Sequence, residues 1–367
     1  MLFKSVVAGF AIFSMIFGSG NIVFPLILGQ QMAGNYFFAL CGWLVAAVII
    51  PMGGYYGAML FDADNKKYLA PIGRHMTSLL MFVIMMLVGP FGVMARIVNV
   101  AFGGIHNLAH QIPIWIFSLI FCTIMLLLAY RPGRIVQIIG LIFTPLKFGG
   151  IMIIAIIAFC LGGSISESDK LPSVSTFVTG FNMGYQTMDL LAAFVMAGTV
   201  YHYVKNAMPE NDKGDKKKLI QFTGVACIVS SVVLSVTYII LLLVGAQYSE
   251  RLSFVAAEEI FGKIAELSMG YSASWFVAIV VAVSCLATGI ALCSIFTDYV
   301  HKDILKEKSN RNTVLAGVGI TAFVMSLLGF QQICSFMGMI LEKLYPFLII
   351  FVAIKIVYYH VITKKQK

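Results

Sequence analysis

The sequence predicts an all-α membrane protein of about ten transmembrane helices, and three observations predict it. Charge is scarce: 25 Lys and Arg and 16 Asp and Glu make 11% of the 367 residues, against about 25% in an ordinary soluble domain. Apolar residues make 60% and the mean hydropathy is +0.94, more than a water-soluble shell can cover without large exposed patches. The apolar residues also gather in stretches of membrane-crossing length, roughly 20 residues each. A cytosolic enzyme, a nucleic-acid reader and a disordered chain are thereby excluded. The short alternating segments of a transmembrane β-barrel do not occur.

Ten windows reach membrane length: 5–29, 36–60, 77–104, 112–129, 134–161, 174–204, 219–247, 272–298, 312–330 and 333–361. The first carries Lys4, an apolar run and Gly18-Ser19-Gly20, as a signal peptide would, but the run resumes at Ile22 and is read as span 1. Basic residues set the orientation. With the N-terminus cytoplasmic, the inner segments hold Lys4, Lys66, Lys67, Arg74, Arg131, Arg134, Lys205, Lys213, Lys216, Lys217, Lys218, Lys302, Lys306, Lys308, Arg311, Lys364, Lys365 and Lys367. The outer loops hold Lys170, Arg251 and Lys263. That imbalance predicts a multi-pass membrane protein with both termini cytoplasmic. It also explains the net charge of +9 as topology, with the lipid bilayer and not nucleic acid as the partner.

The seven cysteines (41, 122, 160, 227, 285, 293 and 334) all fall in the windows without a CxxC pair and read as small packing residues. His106 and His110 have the spacing of a zinc pair but no third ligand nearby, so they read as loop or interface residues.

Two spans are interrupted in matching places. Span 1 contains Phe17-Gly18-Ser19-Gly20-Asn21 followed by Phe24-Pro25, a run of poor helix formers before a proline expected in the first turn of a new half-helix. Span 6 contains Gly180-Phe-Asn-Met183-Gly184-Tyr185-Gln186-Thr187-Met188-Asp189. Either set of glycines alone would fit close helix packing. Each cluster, however, lies in the first span of a five-span half. Because five is odd, the second half begins on the opposite side of the membrane. The prediction is therefore one polytopic unit over 1–367, built from two inverted repeats of about 1–161 and 174–362. In that arrangement helices broken at mid-membrane mark a substrate site.

A break has two charged ends. The half-helix starting near Ser19 turns free N–H groups and a partial positive charge towards the site, which suits a carboxylate. The half-helix ending near Phe17 exposes carbonyls from about Ser14 to Phe17, which suit a cation or an ammonium group. A zwitterion plus a monovalent cation fits, with an apolar side chain against a wall of Phe17, Met183, Tyr185, Val93 and Met94.

These residues resemble a known family. Ala11-Ile-Phe-Ser-Met-Ile-Phe-Gly-Ser-Gly-Asn-Ile-Val-Phe-Pro25 is similar to the first span of the branched-chain amino acid:cation symporters. Gly180-Phe-x-x-Gly-Tyr-x-Thr-Met-Asp-x-Leu-Ala-Ala193 is similar to their sixth. Gly89-Pro90 before Arg96, Cys285-Leu-x-Thr-x-x-x-Leu292 and Leu344-Tyr-Pro346 follow in the family's order.

The resemblance implies the LeuT-type fold of the amino acid–polyamine–organocation superfamily, with substrate and Na⁺ held between spans 1, 3, 6 and 8. It implies that the N–H groups of Ser19 and Gly20 take the substrate carboxylate. Carbonyls of Ile16 and of Met183, Gly184 and Tyr185 would take its amine, with Phe17 and Thr187 beside it. Asn21 matches the amide next to one sodium position. Carbonyls of Ser14 and Phe17, with Ser284 and Thr288, match a second. Ala287 stands where the family carries a second threonine, removing an oxygen ligand unless water or Ser284 Oγ replaces it, and proton coupling through Asp189 becomes the alternative. Ala95, Ile97 and Asn99 depart from the family's Pro, Thr and Thr around the arginine. The family normally has twelve spans, and the pair beyond the ten read here lies outside the inverted core, so transport is expected without it.

Arg96 and Asp189 lie deep in their windows, where a charge costs about 3 kcal/mol or more unless paired or hydrated. Together with Asp298, at the inner end of span 8, they are the coupling or gating candidates. Asp298 is read as either solvated or salt-bridged to a cytoplasmic Arg or Lys. Lys147 and Lys355 are expected to snorkel or to mark a misplaced span boundary. No catalytic set and no phosphate-binding Walker loop occurs, so neither an enzyme nor an ATP-driven pump is expected. The reading is a secondary transporter that takes up branched-chain or similar apolar amino acids with Na⁺ by alternating access. The alternative is an H⁺-coupled or differently selective amino-acid carrier.

Overall fold

In the computed structural model, residues 2–130, 144–165, 171–208 and 214–365 are described. Arg131, Arg134, Lys170, Lys213, Lys367 and the start of the fifth window lie outside them. Every described element is helical, and each window falls on helix.

Span 1 is two helices, α1 (Leu2–Ile16) and α2 (Gly20–Met32). Span 2 is α3 (Tyr36–Leu44) and α4 (Ile50–Leu60), joined by a π-helical turn over Val45–Ile49. After the short α5 (Asn65–Tyr68), span 3 comprises α6 (Arg74–Val88) and α7 (Val93–His106). Spans 4 and 5 are α8 (Ile114–Ala129) and α9 (Thr144–Leu161). Span 6 is α10 (Ser173–Tyr185) and α11 (Asp189–Ala207). Span 7 is the long α12 (Lys216–Gln247), whose first turn is capped by Asp215 accepting from the N–H groups of Lys217 and Lys218. A short helix, α13 (Ile260–Met269), precedes span 8, α14 (Tyr271–Tyr299). Spans 9 and 10 are α15 (Arg311–Ser326) and α16 (Phe330–Lys365), which meet at 105° across a turn closed by Gly329 at φ +85°. On length and apolarity alone, four helical stretches among the described residues pass as spans. The rest of the ten are broken or shorter helices.

The packing displays the inverted repeat. Both halves of span 1 lie against span 7 (α1 and α2 on α12), and both halves of span 6 lie against span 2 (α10 on α3, α11 on α4). Spans 3 and 8 pack on each other (α7 on α14). Exchanging each span of one half for its counterpart in the other reproduces the same contacts.

Glycines make the approach close enough. A Cβ on Gly29 of α2 would fall on the Leu242 carbonyl oxygen of α12, and one on Gly245 would fall on that of Leu26. Gly180 of α10 and the Ala39 carbonyl, with Gly42 of α3 and the Phe177 carbonyl, make the same reciprocal pair in the other half. Outside this frame, large apolar side chains such as Leu119, Leu127, Ile228, Val232, Ile350 and Val357 are exposed, the surface a bilayer covers and water does not.

Three details differ from the sequence reading. Span 3 is also interrupted, at Gly89–Gly92. Gly89 closes α6 through its N–H to the Met85 carbonyl, and Pro90 cannot continue the helical ladder. The span 6 break comes after the glycine cluster, at Gln186–Met188, because Gly180 and Gly184 are spent on contact with span 2. Pro25 sits in the second turn of α2, since that helix starts at Gly20.

Candidate functional site

The two breaks meet at the centre of the fold. α1 ends at Ile16, the Phe17 N–H still bonds back to the Phe13 carbonyl at 2.8 Å, and α2 restarts at Gly20. Phe17, Ser19 and Asn21 are buried to 1%, 3% and 2% exposure. The Gly18 N–H donates to Asn21 Oδ1 at 2.7 Å, folding the Asn21 side chain back over the gap. The N–H groups of Ser19 and Gly20 belong to the first turn, which a helix leaves without internal partners, and among the described residues nothing else receives them. Pro25 has no N–H for the carbonyl of Asn21 four residues earlier, so that carbonyl lacks its usual helical donor.

Span 6 breaks differently. Successive turns close Gln186 N–H on Met183 O, Thr187 N–H on Gly184 O and Met188 N–H on Tyr185 O, while Thr187 Oγ1 also donates to Gly184 O at 2.9 Å. Of the span 6 carbonyls expected to hold an amine, those of Met183 and Tyr185 each accept one of these bonds and keep a second lone pair, whereas that of Gly184 accepts two. Met188 then takes a left-handed conformation, φ 59° and ψ 21°, and α11 opens with Asp189 in its first turn, where a carboxylate suits the positive end of the helix.

Asp189 is 2% exposed and ties the breaks together. Its Oδ2 accepts from Asn21 Nδ2 at 2.7 Å and from the Tyr238 hydroxyl of α12 at 3.3 Å, and Tyr238 also bonds Asn21. On the other side, Arg96 of α7 donates from Nη1 to the Gln186 carbonyl at 2.8 Å and lies over the Phe24 ring, 5.3 Å from its centroid. Span 8 approaches at Gly18, where a Cβ would stand 3.7 Å from Thr288 Cγ2. Thr288 Oγ1 donates to the Ser284 carbonyl at 3.2 Å, and Ser284 Oγ is buried without a partner.

A family model of branched-chain amino acid transport proteins matches residues 2–367. The chain belongs to this family. Among its relatives, the branched-chain amino acid permease BrnQ of Bacillus subtilis strain 168 is 29% identical over 335 residues, covering 87% of this chain and 75% of the permease. The BrnQ permease of Escherichia coli K12 is 27% identical, covering 92% and 76%. Of solved structures, the inward-facing Mhp1 superposes with a TM-score of 0.64 at 13% identity, covering 95% of this chain and 75% of that one. A Na⁺-coupled sialic acid symporter in a substrate-bound outward-open state superposes at 0.60 with 12% identity, covering 94% and 78%. These two likenesses concern the fold, which is LeuT-type. As a member of the branched-chain transport family, the protein is a multi-pass membrane transporter and not an enzyme.

Within this transporter, Gly18, Ser19, Gly20, Asn21, Arg96, Gln186, Thr187, Asp189 and Thr288 converge where the breaks meet. Met94 is fully buried at the start of α7, beside the half-buried Val93, and Tyr185 packs its ring 4.4 Å from that of Tyr345. Asp298 stands apart. It lies nearly three turns beyond Thr288, roughly 15 Å along the helix, and pairs with Arg311 Nε at 2.8 Å, so the salt-bridged reading holds over the solvated one. His106 Nδ1 lies 2.7 Å from Glu259 Oε1, an inter-element contact as expected of an interface residue. Burial raises the carboxyl of the neighbouring Glu258, and the charge of Glu259 raises it further.

Lys355 is 5% exposed and its ammonium stands 3.8 Å from the centroid of the Phe61 ring, just past the end of span 2, a cation–π contact that supplies part of the hydration it lost. Tyr238 was missed from the sequence, and its one signal was a hydroxyl at mid-depth in an otherwise apolar window.

Proposed function

We propose that this protein takes up branched-chain amino acids by Na⁺ symport with alternating access, from cytoplasmic-ended spans in the bacterial plasma membrane. The observation that carries the reading is the meeting of the two half-helix breaks with span 8 at Gly18, Asn21, Asp189 and Thr288. First-turn N–H groups at Ser19 and Gly20 present a partial positive charge to the carboxylate. Carbonyls at Ile16 and at Met183 to Tyr185 present acceptors to the amine. Phe17, Met183 and Tyr185 supply the apolar wall.

For the ion, the carbonyls of Ser14 and Phe17, Ser284 and Thr288 form an oxygen set between spans 1 and 8. The unpartnered Ser284 Oγ fits the place of the hydroxyl that Ala287 lacks, since a buried oxygen without a donor costs roughly 1–3 kcal/mol unless something binds it. The energetics suffice. A tenfold Na⁺ gradient supplies about 1.4 kcal/mol and a potential of about 100 mV another 2.3 kcal/mol. Together they sustain roughly 500-fold accumulation per ion.

A second reading, H⁺ coupling, is favoured by one observation: Asp189 is buried at the junction of the breaks, makes no salt bridge among the described residues, and is held by hydrogen bonds from the neutral Asn21 and Tyr238. Labelled leucine uptake into proteoliposomes under imposed Na⁺, K⁺ or pH gradients decides. Uptake driven by Na⁺ alone supports the first reading, and uptake driven by pH alone moves coupling to Asp189. Uptake indifferent to every gradient rejects symport.

A further inference from the structure

Arg96 is 2% exposed, and among the described residues its guanidinium has no ion-pair partner. Its recorded contacts are the Gln186 carbonyl at 2.8 Å, the face of the Phe24 ring and the thiol of Cys334. The bond to Gln186 satisfies one of the carbonyls that α10 leaves open at its negative end. It also fixes the other arm of the guanidinium. Nη2 points at the start of α2, where an atom in the position of a Gly20 Cβ would stand 3.8 Å from it.

A full positive charge is therefore held beside the partial positive end of a 13-residue half-helix, with the N–H groups of Ser19 and Gly20 turned the same way. The other charge at the breaks, Asp189, gives its carboxylate to Asn21 and Tyr238. A full and a partial positive charge converge on one spot in a low-dielectric interior, where isolated charge is costly; Asp189 attracts Arg96 across the junction, but the described chain places no anion between Arg96 and the start of α2.

We propose that Arg96 and the first-turn N–H groups of α2 together form the recognition site for the substrate's α-carboxylate, so that this transporter requires a free carboxylate on its amino acid. The inference rests on the proposed reading of the broken helices as an amino-acid site and names the side chain that selects for it. A guanidinium has five donors in a planar fork. With Nη1 bonded to Gln186 and one contact made to the Cys334 thiol, the five-donor fork still has N–H groups to pair one carboxylate oxygen while a backbone N–H takes the other, a charge-assisted arrangement stronger than backbone alone. Gly20 is required at the same spot, because any Cβ would press on the Phe24 ring at 3.3 Å and occupy the space where the carboxylate meets the helix.

The test is competition against labelled leucine on the purified full-length protein, using unlabelled leucine and leucinol, which keeps the amine and side chain but has no carboxylate. Wild-type protein is expected to prefer leucine to leucinol strongly. In Arg96→Gln, leucine affinity is expected to fall roughly ten- to hundredfold while leucinol affinity changes little, so the preference collapses; Arg96→Lys restores part of it. Arg96→Gln binding leucine within twofold of wild type overturns the proposal, as does an equal loss of both ligands, which marks a merely structural role. If the variant fails to fold, wild-type protein alone still decides: leucinol competing as well as leucine overturns the proposal. Wild-type protein that binds no leucine rejects the amino-acid reading itself and this inference with it.

Discussion

The breaks in spans 1 and 6 occupy equivalent positions in the two repeats and are built on opposite principles. In span 1 the glycines are the break. Gly18 and Gly20 stand at the gap, where a Cβ on Gly18 would come within 3.5 Å of Asn21 Oδ1 and one on Gly20 within 3.3 Å of the Phe24 ring, and what lines the gap is backbone, backed by the Asn21 side chain. In span 6 the glycines are spent on packing. Gly180 and Gly184 let α10 settle onto span 2, and the break is made four residues after Gly184 by a left-handed Met188 and then a carboxylate. The pseudo-symmetric frame therefore presents an asymmetric site, with a polar backbone face from one half and a charged face from the other. A substrate with a carboxylate, an amine and an apolar side chain is itself asymmetric, and a symmetric pair of breaks would have no way to orient it.

The comparison can be broken at several points. The largest effect is expected at Gly20, because any side chain at this point of the span 1 break presses on the Phe24 ring beside Arg96. Gly20→Leu is expected to abolish leucine binding while the protein still inserts into the membrane, checked by binding assay and membrane fractionation. Wild-type affinity in that variant would mean that the span 1 break is not the site. Asp189→Asn keeps the shape and removes the charge of the span 6 break. Gradient-driven leucine uptake is expected to fall roughly ten- to hundredfold while leucine counterflow in proteoliposomes persists, and a parallel loss of both would place Asp189 in substrate binding instead.

Gly180→Ala tests whether span 6 glycines serve packing. Its Cβ would strike the Ala39 carbonyl, with an expected destabilisation of about 1–3 kcal/mol measured as a drop in Tm, and leucine affinity in the folded fraction unchanged. The smallest effect belongs to Asp298→Asn, away from both breaks. Its ion pair with Arg311 is partly exposed, at 44% and 25%, and losing it is expected to cost less than about 1 kcal/mol, read as a Tm shift of a few degrees at most.

Much of the site was legible because the chemistry of a membrane interior is restrictive. Gly18, Gly20 and Asn21 stood out because polar and flexible residues at mid-depth need a reason. Asp189 and Arg96 stood out because charge there is rare. What the sequence concealed were matters of distance. Nothing in the order of residues says that Tyr238, some fifty residues beyond Asp189, closes the bond network around it, or that Lys355 lies over Phe61. The glycines of span 6 were visible, but whether a glycine opens a gap or fills a contact depends on what lies opposite it, and Ala39 and Ala46 are supplied by span 2.

The sequence by itself determined the solvent, the number of spans and the places where the helix cannot run on. Those follow from local composition: apolar length, backbone propensity and the missing N–H of proline. Only the tertiary structure decided which of the polar groups meet. Asn21 finds Asp189, Arg96 finds the end of α10 and faces Gly20, and Gly18 finds Thr288 because the inverted repeats fold each broken span against a partner from the other half. Hydrogen bonds and unpaired charges act over a few ångströms, and that distance exists only once the ten spans have packed.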